Sequence, residues 1–269
     1  MKLLFVSLGC DKNLVDSEEM LGLLTGNGHE IVDSEEEADA IVINTCCFIH
    51  DAKEESVNTI LEMAEYKKTG TCKILIVTGC MAQRYKEEIT EEIPEVDAVL
   101  GTTSYGDIVK ALNEAEAGHV FQEFKDINAL PEDSGRRVIT TGGHYGYLKI
   151  AEGCDKHCTY CIIPSLRGKF RSVPEERLLK QAEYMASQGV RELILVAQET
   201  TVYGTDLYGK KTLHILLKKL CQIKGIRWIR VLYCYPEEIY DELIQVMKEE
   251  KKICHYLDLP IQHASDRIL

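Results

Sequence analysis

The run Ala40-Ile41-Val42-Ile43-Asn44 decides the fold of the first part of the chain. Four consecutive apolar residues, ended by a polar one, are typical of a strand that is buried on both faces. Similar apolar runs occur at residues 2–6 and 73–78, and helical patterns lie between them. Because strands and helices alternate, the sequence predicts a doubly wound parallel α/β sheet that is covered on both faces.

The same alternation continues to about residue 117 and then stops. The other predicted elements of this part are strands at 29–32 and 96–100 and helices at 13–27, 52–68, 81–92 and 105–117, and an edge strand is expected at 119–124 in the linker. Turn-forming residues follow, among them Pro131, Asp133, Ser134 and Gly135. We therefore predict an N-terminal domain over 1–117, a linker over 118–146 and a second domain over 147–269. The linker's Arg136-Arg137 is expected to be a solvated pair.

Three cysteines of the N-terminal domain each come just after a predicted strand, namely Cys10, Cys46 and Cys80. The carboxyl ends of parallel strands share one edge of a sheet, and ligands collect there. The three thiols are therefore candidate metal ligands. The alternative is that they are small buried apolar residues, as free cysteines often are. Cys47 and Cys72 are not expected to be ligands. Cys47 follows Cys46 and should point away from the other thiols, and Cys72 precedes its strand and should lie at the opposite edge of the sheet.

The second domain opens with a strand at 147–152, which the loop Gly153-Cys154-Asp155-Lys156-His157-Cys158-Thr159-Tyr160-Cys161 follows. Its C-x3-C-x2-C spacing places three thiolates in one loop, and thiolates are the natural ligands of iron–sulfur clusters. Three cysteines on a 4Fe–4S cube leave one iron open for a substrate. The alternative is a structural zinc site with His157 as the fourth ligand.

Further strands are predicted at 192–197, 227–232 and 255–260, with helices at 175–187, 212–223 and 236–249 between and around them. These units predict a barrel-like parallel array with its active site at the strand carboxyl ends. Only four strands are present, so the barrel is expected to be incomplete and the chain truncated. Gln198, Glu199, Gln262 and His263 follow two of these strands and are candidate pocket residues, although a capped polar turn explains the first two equally well. Cys221, Cys234 and Cys254 are expected to be core residues.

Composition limits the classes of function. The chain has 269 residues, 11 cysteines and a formal net charge of −13. No apolar run approaches the roughly 18 residues of a membrane span, and no signal peptide is recognised, so we expect a cytoplasmic protein without a membrane partner. A reducing compartment disfavours disulfides, which makes metal ligation the better account of some cysteines. The acidic charge makes direct nucleic-acid binding by this segment unexpected and suits a basic partner.

The cysteine loop resembles that of the radical S-adenosylmethionine enzymes, including the aromatic Tyr160 before the last cysteine. Three further stretches resemble the methylthiotransferases of that superfamily, and they are residues 6–18, Asn44-Thr45-Cys46 and Thr78-Gly79-Cys80-Met81-Ala82-Gln83. Residues 9–17 and 260–269 favour the branch that modifies a ribosomal protein over the branch that modifies tRNA. Cys47 departs from the family pattern.

The resemblance implies two 4Fe–4S clusters and S-adenosylmethionine as cofactors. Cys154, Cys158 and Cys161 would hold the radical-generating cluster, and Cys10, Cys46 and Cys80 an auxiliary cluster. Tyr160, Gln198 and Glu199 are candidates to bind the cofactor, although this chain lacks the Gly-Gly-Glu stretch that holds the amino group of the cofactor in many members of the superfamily. The implied reaction adds a methylthio group to the β-carbon of an aspartate of a small-subunit ribosomal protein and needs an external electron donor. The alternatives are a tRNA adenosine methylthiotransferase and an inactive iron–sulfur-binding fragment.

Overall fold

The computed structural model describes residues 1–132 and 135–268 of the chain. Asp133 and Ser134, which the sequence assigns to the linker, lie outside the described residues. The chain divides into two compact units. The first comprises Met1–Val138 and Asp155–Lys169, and the second comprises Ile139–Cys154 and Phe170–Leu269. A segment that follows Cys154 in sequence thus folds with the N-terminal unit.

The first unit is built on a six-stranded sheet in which every pair of neighbouring strands is parallel. Its strands are β1 (Lys2–Ser7), β2 (Glu30–Ile31), β3 (Ala40–Thr45), β4 (Ile74–Gly79), β5 (Ala98–Leu100) and β6 (Phe121–Glu123). They lie in the order β2-β1-β3-β4-β5-β6. The parallel α/β fold predicted from the alternating pattern is confirmed.

Helices cover both faces of this sheet. They are α1 (Asp11–Gly26), α2 (His50–Thr69), α3 (Cys80–Arg84), α4 (Lys86–Glu92), α5 (Ile108–Glu116) and α6 (Ile163–Arg167). Successive side chains of β3 point to opposite faces, so Ile41 and Ile43 enter one core and Ala40 and Val42 the other. The single helix predicted over 81–92 is in fact two, because Tyr85 leaves the helical conformation with φ −122° and ψ 36°.

The linker packs on α1 rather than lying in solvent. Arg137 is 7% exposed, and its Nε and Nη2 donate to Glu18 Oε2 at 2.8 and 2.5 Å. The amide of Val138 also donates to the Glu18 carbonyl, at 3.0 Å. Gly22 permits this approach, since a Cβ there would lie 2.7 Å from the Arg136 carbonyl carbon. The expectation of a solvated arginine pair was therefore wrong for Arg137, whose charge is paired with a carboxylate of α1.

Replacing Arg137 with methionine is expected to lower the free energy of unfolding of the first unit by about 3–5 kcal/mol, because the variant removes the guanidinium that pairs with the buried Glu18 carboxylate. The Glu18 side chain is 0% exposed. Hydrogen exchange of the α1 amides during urea unfolding measures the free energy of unfolding of the first unit. Tryptophan fluorescence does not, because Trp228 belongs to the second unit. The double variant Glu18→Leu/Arg137→Met should recover most of the loss. A loss below about 1 kcal/mol in the single variant would contradict the account.

The second unit contains a parallel sheet in the order β12-β11-β10-β7 and a separate antiparallel pair, β8 and β9. The strands are β7 (Tyr145–Lys149), β8 (Ala151–Glu152), β9 (Arg171–Ser172), β10 (Glu192–Val196), β11 (Trp228–Val231) and β12 (Ile253–Leu257). The helices are α7 (Glu175–Ser187), α8 (Thr205–Tyr208), α9 (Leu213–Cys221) and α10 (Asp241–Glu249). The parallel βα arrangement is confirmed, and the incomplete barrel stays a prediction.

Two predicted elements of the second unit differ in detail. The strand expected over 147–152 is split into β7 and β8, which belong to different sheets. The helix expected over 236–249 begins only at Asp241, since Pro236–Glu238 forms a single 3-10 turn. Across residues 1–132 and 135–268, no helix is both long enough and apolar enough to cross a membrane.

Candidate metal centre

The sheet of the first unit brings three cysteine-bearing strand ends to one edge. Ser7 of β1 is in register with Asn44 of β3, and Thr45 of β3 with Gly79 of β4. Cys46 directly follows β3, Cys80 directly follows β4, and Cys10 comes three residues after β1. Because the strands are parallel and adjacent, their carboxyl ends place these three cysteines side by side.

Asn13 connects the three cysteine-bearing segments. Its Nδ2 donates to the carbonyl of Leu8 at 3.1 Å and to the carbonyl of Thr45 at 3.0 Å. Its Oδ1 lies 3.8 Å from the Sγ of Cys80. One buried amide therefore contacts the loop before Cys10, the end of β3 before Cys46, and the Cys80 thiol itself. Such outer contacts fix the orientation of metal ligands.

A second set of hydrogen bonds supports Asn13. Asn44 Nδ2 donates to the Asn13 carbonyl and to Ser17 Oγ, each at 2.9 Å. Behind them, Ser17 Oγ is 2.7 Å from Ser7 Oγ. On the far side, Ser56 Oγ accepts from the Cys46 amide at 3.0 Å and donates to the Cys46 carbonyl at 2.7 Å. The backbone around Cys46 is thus held by α1 on one side and α2 on the other.

The thiols of this site are close enough to influence one another. Burial raises the pKa of the Cys80 thiol, the Arg167 guanidinium opposes that rise, and the thiols of Cys46 and Cys10 add to it. Burial likewise raises the pKa of the Cys46 thiol. Without a metal both therefore favour the protonated form, so a metal that binds here must displace protons.

Arg167 supplies a positive charge at this site. This last residue of α6 is 2% exposed. Its Nη1 donates to Asp16 Oδ2 at 2.8 Å and its Nη2 to Asn13 Oδ1 at 2.5 Å. The acceptors are on the first turns of α1, just after Cys10. A cation beside several cysteines offsets the negative charge that thiolates and a cluster bring.

The two cysteines excluded from the site remain in the core. Cys72 is 3% exposed, and its thiol donates to the Ile74 carbonyl at 3.3 Å. Cys47 is 2% exposed, and burial raises the pKa of its thiol to about 12. The charge of Cys80 is the second cause of that rise, so Cys47 lies near the site.

The C-x3-C-x2-C loop lies between β8 and α6. Cys154, Cys158 and Cys161 are all partly exposed, and the Cys161 amide donates to the Cys158 carbonyl at 3.0 Å, which closes a tight turn. Tyr160 is 69% exposed. A partly exposed loop with three thiols can wrap a cluster while leaving it accessible to a small cofactor and an electron donor.

The candidate cofactor residues after β10 differ from each other. Gln198 Oε1 is buried without a hydrogen-bond partner among the described residues, and such an atom favours a ligand that is not part of the chain. Glu199 is 3% exposed, and its Oε1 accepts from the Thr201 hydroxyl and from the amides of Thr201 and Tyr235 at 3.0 and 3.3 Å. Glu199 thus caps its own turn. Gln262 and His263, after β12, are exposed.

The donors of both cysteine sets are thiols, and thiolates are the usual ligands of iron–sulfur clusters. Cys46 and Cys80 are buried, whereas Cys10 is exposed and the three cysteines of the loop are partly exposed. Among residues 1–132 and 135–268, no three His, Cys, Asp or Glu side chains are arranged to hold one metal ion. A set of three thiols leaves one iron of a 4Fe–4S cube without a protein ligand.

Sequence reasoning missed the polar residues that support the first set. The sequence places Asn13, Asp16 and Ser17 in a predicted helix and in a stretch that resembles the methylthiotransferases, and it predicts no element at Arg167. The available signal was the polar sequence Asp16-Ser17-Glu18-Glu19 in a helix that had to pack on a sheet. A buried helix face with several charges requires partners elsewhere in the chain.

Both parts of the chain resemble known proteins. Residues 2–101 match the family described as "Uncharacterized protein family UPF0004", and residues 148–269 match the radical SAM superfamily. A protein of Lachnoclostridium phytofermentans named ribosomal protein uS12 methylthiotransferase RimO is 68% identical over 100% of this chain and 61% of its own length. A protein of the same name from Clostridioides difficile is 53% identical over the same shares.

Solved structures resemble the chain in fold. The radical S-adenosylmethionine methyltransferase TsrM from Kitasatospora setae superposes with a TM-score of 0.62 at 12% identity, over 99% of this chain and 60% of that one. The cobalamin-dependent S-adenosylmethionine radical enzyme OxsB gives 0.61 at 14% identity, over 99% and 44%. The chain spans about three fifths of the length of the curated relatives it matches. It belongs to the methylthiotransferase family of radical S-adenosylmethionine enzymes.

Proposed function

We propose that this chain is the cluster-bearing part of a methylthiotransferase that modifies an aspartate of ribosomal protein uS12. The observation that carries the proposal is the presence of two separate cysteine sets, one at the ends of three adjacent strands and one in a C-x3-C-x2-C loop. Relatives named for this activity are 68% and 53% identical over the whole chain. The formal charge of −13 suits a basic ribosomal protein better than tRNA.

In this proposal each cysteine set holds one 4Fe–4S cluster. Cys154, Cys158 and Cys161 bind the first, and Cys10, Cys46 and Cys80 bind the second. When bound, the clusters and S-adenosylmethionine together supply the adenosyl radical and the methylthio sulfur. Gln198, whose buried Oε1 has no hydrogen-bond partner in the part of the chain that the structure describes, and Tyr160 are the candidates to contact S-adenosylmethionine. Glu199 holds the turn that presents Gln198.

The chain's own residues have simple tasks in this reaction. The strand ends hold Cys10, Cys46 and Cys80 in a fixed arrangement, so these residues lose little conformational entropy when a cluster binds. Cys46 and Cys80 are buried and Cys10 is exposed, so one thiol of this set is open to solvent. The exposed loop leaves the other set open to an external electron donor and to the cofactor.

The first test is the iron count of the anaerobically purified chain. We expect about eight irons per chain if both sets hold a cube and about four if one does. Reductive cleavage of S-adenosylmethionine to 5′-deoxyadenosine then tests the loop cluster. Absence of 5′-deoxyadenosine from a chain extended to the length of its relatives would contradict the radical chemistry.

The second test is the substrate. Extended protein, labelled S-adenosylmethionine and a reductant are incubated with small ribosomal subunits or with tRNA. Label is expected in uS12, as a mass increase on one aspartate-containing peptide. Label found only in tRNA would contradict uS12 as the substrate and would indicate that a tRNA adenosine is modified instead.

A further inference from the structure

The loop after β11 has a backbone conformation that its sequence disfavours. Tyr233 has φ +57°, a value that glycine reaches readily but that is an outlier for a bulky residue. Among residues 1–132 and 135–268, Gln262 is the only other non-glycine residue with a positive φ, +60°. Both lie beyond the carboxyl ends of neighbouring strands, β11 and β12. Such strain persists where surrounding contacts impose it, and it concentrates at functional sites.

Asp258, the residue directly after β12, holds Tyr233 in this conformation. Its Oδ2 accepts a hydrogen bond from the Tyr233 amide at 3.0 Å. Its carbonyl accepts from the next amide, that of Cys234, at 2.9 Å, and Cys234 is 0% exposed. Two successive amides of the loop after β11 therefore bind one residue at the end of the neighbouring strand.

Tyr233 in turn holds the loop after β10. Its carbonyl accepts from the Thr200 amide at 3.0 Å and from Thr200 Oγ1 at 3.2 Å, and Thr200 is 0% exposed. The preceding Glu199 accepts from the Tyr235 amide at 3.3 Å. Gln198, whose buried Oε1 has no partner among the described residues, begins the same loop. A continuous series of hydrogen bonds therefore runs from the end of β12 to the turn that presents Gln198.

We propose that Asp258 is a positioning residue for the S-adenosylmethionine site, acting through the backbone of Tyr233 on the turn that presents Gln198. This inference rests on the proposed function, because it assumes that Gln198 contacts the cofactor. Without the carboxylate, Tyr233 would relax to a negative φ and turn away the carbonyl that Thr200 binds. Glycine adopts a positive φ without strain, so in a Tyr233→Gly background the carboxylate should matter little.

The experiment uses the chain extended to the length of its relatives. Asp258→Ala is made in the parent and in the Tyr233→Gly background. Asp258→Asn keeps a neutral and weaker acceptor, and it replaces the alanine variant if that variant does not fold. The matched control is Glu192→Ala. Glu192, the first residue of β10, accepts from Arg230 Nε at 2.7 Å, so its carboxylate also joins neighbouring strands, but at the amino end of β10.

The first measurement is amide hydrogen exchange of the peptides that cover 198–203 and 232–235, made without S-adenosylmethionine. Asp258→Ala should exchange faster than the parent in both peptides, because the hydrogen bonds of Tyr233 and Thr200 are weakened. Glu192→Ala should match the parent there. Faster exchange that is confined to 232–235 would contradict the proposed connection to the turn of Gln198.

The second measurement is the dissociation constant for S-adenosylmethionine, with iron counted on every sample. For Asp258→Ala we expect binding about tenfold weaker, the effect of one lost hydrogen bond to a charged group. Asp258→Asn should lie between that variant and the parent. In the Tyr233→Gly background, Asp258→Ala should weaken binding about twofold or less, and Glu192→Ala should match the parent equally closely.

The outcomes separate the inference from the proposed function. Parental affinity in Asp258→Ala and Asp258→Asn, or an equal loss of affinity with Tyr233 and with glycine at that position, would overturn the inference alone. A tenfold loss in Tyr233→Gly itself would also overturn it, since the side chain rather than the backbone would then be needed. An iron-loaded parent that binds no S-adenosylmethionine would contradict the proposed function and the inference with it.

Discussion

Replacing Cys158 with alanine is expected to abolish the reductive cleavage of S-adenosylmethionine while leaving about four irons per chain in place. The reason is that a cube needs the three thiolates of the loop, whereas the strand-end cysteines belong to other elements. The measurement is 5′-deoxyadenosine formation under dithionite, with iron and sulfide counted on the same sample.

The control for this variant is Cys254→Ala. Cys254 is a partly exposed cysteine of β12 for which we propose no ligand role. Its removal should leave both the iron count and 5′-deoxyadenosine formation at parental values. Cleavage that persists in Cys158→Ala would show that the loop does not hold the radical-generating cluster.

Replacing Gly79 with alanine is expected to destabilise the first unit by about 2–5 kcal/mol and to empty the strand-end site of iron. Gly79 has φ +94° and precedes Cys80. A Cβ there would lie 2.6 Å from the Thr45 carbonyl oxygen and closer still to Asn44 Oδ1. The backbone before Cys80 or before Cys46 would have to shift. Urea unfolding and iron counting measure the two effects.

Gly118→Ala is the matched control for Gly79→Ala. Gly118 also has a positive φ, +80°, but a Cβ there meets no heavy atom within 4 Å. Gly118→Ala should therefore lower the free energy of unfolding only by the backbone strain, about 1 kcal/mol, and should retain the iron. Equal iron loss in both variants would mean that strain rather than the Cys46–Cys80 geometry explains the result.

Much of the fold follows from local pattern. The apolar runs around Ala40–Thr45 and Ile74–Gly79 predict buried strands. Because a helix lies between successive strands, the strands are expected to pair in parallel. From that alone, Cys10, Cys46 and Cys80 could be placed at one edge of the sheet. The placement needed no knowledge of side-chain contacts, which is why sequence reasoning was sufficient for it.

The polar support of the site could not be found in this way. Arg167 and Asp16 are 151 residues apart, and Arg137 and Glu18 are 119 apart. Periodicity reports which face of α1 is apolar, but it does not identify the partner of a buried carboxylate. The short strands β8 and β9, of two residues each, and the five-residue α6 are likewise too short to produce a recognisable pattern.

The return of Asp155–Lys169 to the first unit changes how this protein can be dissected. A fragment cut after the linker would keep Cys10, Cys46 and Cys80 but lose Leu166 from its core and the cation opposite Asp16. The iron content of such fragments would therefore underestimate how much iron these cysteines can bind in the longer chain. The polypeptide passes between its two halves three times, so the smallest piece suited to reconstituting either cofactor centre extends through both.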